Sequence, residues 1–397
     1  MELDALRASP NALAPHYSRF RVSERLLLTG HSHQAWPDVG LAAQAEAWND
    51  AAALVDDKWD KAFAKAAEVK AGFTALLGDA GDGLALASNT HELVFRLLSA
   101  LDHHRRPRVV TTDGEFHTIR RQLDRLAEAG VEVVKVPEHP VETVAERLAA
   151  AVDPRTGIVL VSLVFFDSGR IARGLGAVAE ACARHGAELL VDVYHALNVV
   201  PVDLAREGLR GAFVVGGGYK YCQLGEGNCF LRVPEGSDLR PVYTGWYSEF
   251  TALAAKNPPG QVAYGEGGER FAGATYDPTS HYRASAVFRF FREQGLAAPF
   301  LREVSQHQVG VLAGAFDALD LDPRVVTRDR SAPLTETAGF LALRSSRAGD
   351  LCGALHARGV LTDARGDVLR FGPAPYLCDR QLRDAITALG EVVARPS

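Results

Sequence analysis

Residues 188–196 read Glu-Leu-Leu-Val-Asp-Val-Tyr-His-Ala, and residues 212–221 read Ala-Phe-Val-Val-Gly-Gly-Gly-Tyr-Lys-Tyr. Each stretch opens on a short apolar run and closes on a reactive group, Asp192 in the first and Lys220 in the second. A run that is apolar throughout suits a strand buried on both faces. Similar runs recur at residues 84–88, 108–112, 131–136, 158–164 and 229–233, with helical periodicity between several of them at 92–101, 118–129, 141–151 and 175–184. The alternation predicts an α/β fold, with a mostly parallel seven-stranded sheet and helices on both faces. Ligands in such sheets lie at the carboxyl ends of strands, where Asp192 and Lys220 both fall.

Outside the sheet, residues 37–77 read as mainly helical. Glycine and proline cluster over 257–278 and mark a loop or boundary. Beyond it, 282–293, 299–319 and 379–393 read as helices, and 340–344 and 368–371 as strands, giving a smaller α+β domain. The expected division is an N-terminal segment, 1–50, packing with the small domain, a large domain, 51–265, and a small C-terminal domain, 266–397. A chain of 397 residues suggests roughly two domains, and 47% hydrophobic residues supply their cores. The net charge of −6, without a basic block, argues against nucleic-acid or anionic-membrane partners. Five scattered cysteines without a CxxC pair fit the reduced thiols of a cytoplasmic protein. No basic-then-apolar leader opens the chain, and no apolar run approaches about 18 residues.

A lysine at a strand end is ordinarily a solvated side chain. Here Gly216-Gly217-Gly218 leaves room for a bulky ligand at the backbone, and Tyr219 and Tyr221 flank the amine. Desolvation would make Lys220 nucleophilic enough to condense with an aldehyde. Asp192 alone could equally cap a helix. Together, an acid and an amine 28 residues apart on neighbouring strand ends suit pyridoxal 5'-phosphate, which needs a lysine for its aldehyde and an anion for its ring nitrogen. His195 can reach the phenolic oxygen of that cofactor, or serve as a hydrogen-bonded turn residue. Ser88-Asn89-Thr90 stands where a strand turns into a helix, with Glu92 placed for a capping arrangement, so the segment offers an anion site or a plain cap. Phe116, in Gly114-Glu115-Phe116-His117, can stack on the ring or belong to the core. Arg370, between Leu369 and Phe371, needs an anion: a substrate carboxylate or a structural partner.

These residues together resemble the class V aminotransferase group of fold-type-I pyridoxal phosphate enzymes, kynureninases most closely, from about residue 25 to 390. Asp192-x-x-His195-Ala196, Tyr219-Lys220-Tyr221 and Arg370-x-x-Pro373-x-Pro375 carry the resemblance. It implies that Lys220 holds the cofactor, Tyr219 contacts its phosphate, and Arg370 holds the substrate α-carboxylate. It also implies that Asn89 and Thr90 form the first phosphate loop, that Phe116 stacks on the ring, and that Trp246 and Thr275 reach the phosphate across a homodimer interface. The implied reaction cleaves the Cβ–Cγ bond of kynurenine or 3-hydroxykynurenine, with aminotransferase, β-lyase and desulfurase as relatives' alternatives. A desulfurase needs a mobile cysteine, and neither Cys352 nor Cys378 has the flanks of such a loop. The sequence departs from kynureninases at Gly30-His31-Ser32-His33-Gln34 and at Gly218, so the substrate-side loop differs. His31 and Ser32 are the substrate-binding candidates there, and two histidines without a third ligand give no metal site. The alternative of another class is a non-catalytic doubly wound binding protein, with Gly216-Gly217-Gly218 a tight turn.

Overall fold

The computed structural model describes residues 1–81, 83–252 and 260–394. Residues 257–259 of the predicted loop lie outside the described residues. Seven strands form the central sheet: β1 (Leu84–Ala87), β2 (Arg108–Thr112), β3 (Glu132–Val136), β4 (Thr156–Ser162), β5 (Glu188–Asp192), β6 (Phe213–Gly217) and β7 (Cys229–Arg232). Their spatial order is β1-β7-β6-β5-β4-β2-β3. All neighbours are parallel except β7, which runs antiparallel to both β1 and β6. Alternate side chains enter opposite core layers, as the two-residue period of a strand requires. Val159, Val161 and Val191 pack on one side of the sheet, and Ile158, Leu160 and Leu190 on the other. This is the α/β architecture expected from the apolar runs.

The strand expected over 158–164 ends two residues early. Leu163, Val164 and Phe165 leave the sheet for a hairpin: Val164 pairs with Ile171, and Phe165 N–H donates to the Arg170 carbonyl (3.0 Å). The apolar run serves two elements in succession, and the hairpin carries Phe166 toward the strand ends.

A second sheet, order β10-β11-β9-β8, is antiparallel and comprises β8 (Thr327–Arg328), β9 (Leu341–Arg344), β10 (Asp363–Arg365) and β11 (Val368–Phe371). The N-terminal segment is stitched to this region. Leu26–Leu27 pairs in parallel with Val360–Leu361, Asn11 donates to the Pro375 carbonyl (2.9 Å), and Gln381 donates to the carbonyls of Val22 and Arg25. The helix Thr279–Glu293 packs on Val39–Leu54 and Lys58–Leu76, with Phe288 edge-on to Phe73 at 5.3 Å. Among the described residues, no helix is long and apolar enough to cross a membrane.

Candidate active site

Parallel register places Asp192, at the end of β5, between Ser162 of β4 and Val215 of β6. After β5 the chain turns tightly, with Ala196 N–H on the Val193 carbonyl (2.8 Å), which aims His195 back over the sheet end. Lys220 follows β6 by three residues and is buried. Its Nζ hydrogen-bonds His195 Nε2 and lies 4.9 Å from the ring centre of Tyr194, 5.4 Å from Phe116 and 5.8 Å from Tyr219. The glycines before it are small for a reason other than ligand approach. A Cβ on Gly217 would stand 2.5 Å from the Cys229 sulfur and the Tyr194 hydroxyl, and one on Gly218 would enter Leu224.

Burial pushes the Lys220 amine well below the ordinary lysine range; Arg370 adds to this and Asp192 opposes it. The same burial raises Asp192, against the Tyr194 backbone N–H (2.8 Å) and the attraction of Lys220. His195 is held neutral, first by burial and then by Lys220, and its buried Nδ1 has no partner among the described residues. A neutral-leaning amine, an acid and an imidazole with an unused nitrogen thus converge on a cavity of about 330 Å³.

The other wall of this cavity is the start of the helix Thr90–Ser99. Asn89 caps it: Oδ1 accepts from Glu92 N–H (3.0 Å), and Nδ2 donates to Glu92 Oε1 (3.0 Å). The capping arrangement is present, with Asn89 as the cap residue. Asn89 and Thr90 line the cavity at the start of this helix, where an anion is favoured. Phe116 lines the same cavity, edge-on to Phe166 at 5.4 Å. Lysine, acid, ring face and anion site fit pyridoxal phosphate.

Arg370 is buried and already engaged. Its Nε donates to Asp363 Oδ1 (2.8 Å), its Nη2 to Asp363 Oδ2, and its Nη1 to the Phe166 carbonyl. Three of about five guanidinium N–H groups are thereby used, leaving one on each terminal nitrogen. Phe340 lies between Arg370 (5.6 Å) and His195 (6.3 Å). His31 is fully buried and shares the same acid, Nε2 to Asp363 Oδ1 at 2.8 Å. Burial lowers His31 to about 4 despite that bond, so it is a neutral donor. Burial raises the Asp363 carboxyl, yet hydrogen bonds from His31 and Arg370 outweigh it and hold the group well below the carboxylate range.

The remaining candidates lie around this centre. Ser32 is half-buried with its hydroxyl on His33 Nδ1 (3.1 Å), and His33 stacks on Tyr219 at 4.8 Å. Tyr219 lines the cavity beside Tyr194. Trp246 donates to the Thr275 hydroxyl (3.2 Å), and neither lines the cavity. A larger groove of about 890 Å³, walled by Phe95, Leu98, Leu126, Val242 and Tyr243, adjoins through His91 and Thr118 but has no acid–amine pair among the described residues that line it.

Asp363, Ser162, Phe166 and Glu115 were not anticipated as site residues. Asp363 had a signal. Arg365-Gly366-Asp367-Val368 is a tight hairpin with Gly366 at φ +55°, and closing it sets Asp363 opposite Arg370.

No family model matches the chain. It is 23% identical over 330 residues to the uncharacterized aminotransferase YcbU of Bacillus subtilis, covering 83% of this chain and 84% of that protein. It is 26% identical over 347 residues to a kynureninase of Burkholderia mallei, covering 80% and 76%. Both similarities run over most of the chain. Among solved structures, a variant of the cystine C-S lyase C-DES with glycine covalently linked to its pyridoxal phosphate superposes with a TM-score of 0.81 at 16% identity, covering 95% of this chain and 98% of that one. A cysteine desulfurase of Thermococcus onnurineus follows at 0.77 and 17%, covering 93% and 95%. The chain has the fold-type-I architecture of these enzymes.

Proposed function

We propose that the chain is a kynureninase-like hydrolase, cleaving the Cβ–Cγ bond of kynurenine or 3-hydroxykynurenine to alanine and an anthranilate. It is a pyridoxal-phosphate-dependent enzyme of the lyase or aminotransferase kind. The observation that carries the cofactor is the convergence of Lys220, Asp192 and His195 on one cavity beside a capped helix start. The cleavage is supported by the kynureninase relative. When bound, pyridoxal phosphate supplies an electron sink for charge at the substrate α-carbon.

The residues divide the remaining work. Lys220 would be the covalent anchor of the cofactor and the base at the substrate α-proton. Asp192 holds a proton at the ring nitrogen, His195 the phenolic oxygen, and Phe116 a ring face. Asn89, Thr90 and Tyr219 hold the phosphate, joined by Trp246 and Thr275 of a second copy. The two remaining Arg370 N–H groups hold the substrate carboxylate, with Asp363 fixing the guanidinium and His31 and Ser32 shaping the substrate side. Incubation with kynurenine and 3-hydroxykynurenine should release an anthranilate. If no such product forms while another amino acid is turned over, the cleavage assignment falls. The second reading is an aminotransferase, favoured by a relative of that name across 83% of the chain. It predicts a keto acid in place of an anthranilate.

Two further results are expected. The lowered proton affinity of Lys220 means that its capture of pyridoxal phosphate, which needs the neutral amine, levels off well below an ordinary lysine pKa of about 10.4. Stopped-flow capture rates still rising at that pH would contradict the burial argument. The exposed Val242, Tyr243 and Trp246 beside the 890 Å³ groove fit a homodimer. Sedimentation should show a dimer at working concentrations. An active monomer at every concentration would remove Trp246 and Thr275 from the site.

A further inference from the structure

Glu115, one residue before Phe116, is a buried carboxyl that the reaction above does not use. Its Oε1 accepts from the Thr112 hydroxyl (2.7 Å) and the Ser162 backbone N–H (3.1 Å), and its Oε2 lies 2.7 Å from the Ser162 hydroxyl. Ser162 ends β4, stands beside Asp192 in register, and lines the cofactor cavity. Two buried acids therefore flank one strand end, and the charge of Asp192 raises the proton affinity of Glu115. Asp192 has the attraction of Lys220 in the free chain and would have the protonated ring nitrogen as its cationic neighbour in the holoenzyme. The strongest neighbours of Glu115 are two hydroxyls, one amide and the acid Asp192. Two uncompensated buried anions repel and lose hydration, so the proton goes to the acid with less cationic support.

We propose that Glu115 is a positioning residue of the cofactor site: it carries a proton, donates it to the Ser162 hydroxyl, and leaves Asp192 as the anion for the ring nitrogen. This rests on the pyridoxal phosphate reading. The hydrogen bonds are consistent with it. Oε1 is then the carbonyl oxygen with two donors, Oε2–H donates to Ser162 Oγ, and the Ser162 proton turns toward the cavity. Burial pushes Glu115 up to about 7. The other titratable group facing it is Glu138, packed under Gly114 and itself pushed up to about 8 by burial, with Asp167 and Asp113 behind. Every one of these neighbours is acidic, which favours the protonated form.

The test uses the pyridoxal phosphate holoenzyme and infrared difference spectra between about pH 6 and about pH 8. Wild type should gain carboxylic-acid C=O intensity at the lower pH, of which one component should vanish in Glu115→Gln and persist in Glu138→Gln, which removes a different one. Glu115→Gln offers an amide N–H in place of the acid O–H, so its pyridoxal phosphate dissociation constant should stay within about twofold of wild type at the lower pH, whereas Glu115→Ala should raise it roughly tenfold. A wild type without that intensity, a Glu115→Gln spectrum that loses no component of it, or a Glu115→Gln affinity loss matching that of the alanine variant overturns the role of Glu115. If Glu115→Ala does not fold, the glutamine variant and the spectra still decide. A wild type that takes up no pyridoxal phosphate overturns the cofactor reading instead.

Discussion

Lys220→Ala is expected to give a folded, colourless protein whose turnover falls by roughly 10³-fold or more. The loss is large because one amine has two duties, anchoring the cofactor and moving the α-proton, and among the described residues no other lysine lines the cavity. The fold should survive. A buried amine is a liability to the cofactor-free protein, since burial depresses its proton affinity, and its removal offsets the loss of its bond to His195. Added pyridoxal phosphate should still bind through the helix start and Asp192, without the visible absorbance of covalent attachment. Wild-type colour and turnover in this variant would dismiss Lys220. Equal unfolding of variant and wild type in urea would confirm that the defect is chemical.

Arg370→Ala is expected to abolish saturable amino-acid binding and to cost roughly 3–5 kcal/mol of stability, the range for breaking a buried ion pair from one side. The arginine and its acid are both largely buried and joined through two nitrogens, so the single variant strands the Asp363 carboxylate. Asp363→Ala strands the guanidinium in turn. The double variant strands neither, and should recover a substantial part of the stability while leaving amino-acid binding lost. Additive losses in the double variant would show that the pair is not coupled. Retained substrate affinity in Arg370→Ala would remove it as the carboxylate anchor.

Much of the fold was legible because burial on both faces writes itself into sequence as unbroken apolar runs. Asp192 and Lys220 were legible because a polar group ending such a run has few bland explanations. Where one run served two elements, the boundary was not legible: Leu163 to Phe165 look like strand but form the hairpin that delivers Phe166. The Gly216-Gly217-Gly218 stretch was read as space for a ligand, whereas Tyr194, Cys229 and Leu224 fill that space. Arg370 was read as needing an anion, and it has one in Asp363, a pairing set by the register of the hairpin at Gly366, whose turn signal was not used. Glu115 shows the same limit, since its partner Ser162 arrives from a strand 47 residues away.

The central claim is that Lys220 carries pyridoxal phosphate covalently. Borohydride reduction of the holoenzyme, followed by peptide mass mapping, tests it most directly. The account predicts one phosphopyridoxyl group, on the peptide containing Lys220. Label on any other lysine, or none on a protein saturated with the cofactor, would contradict it.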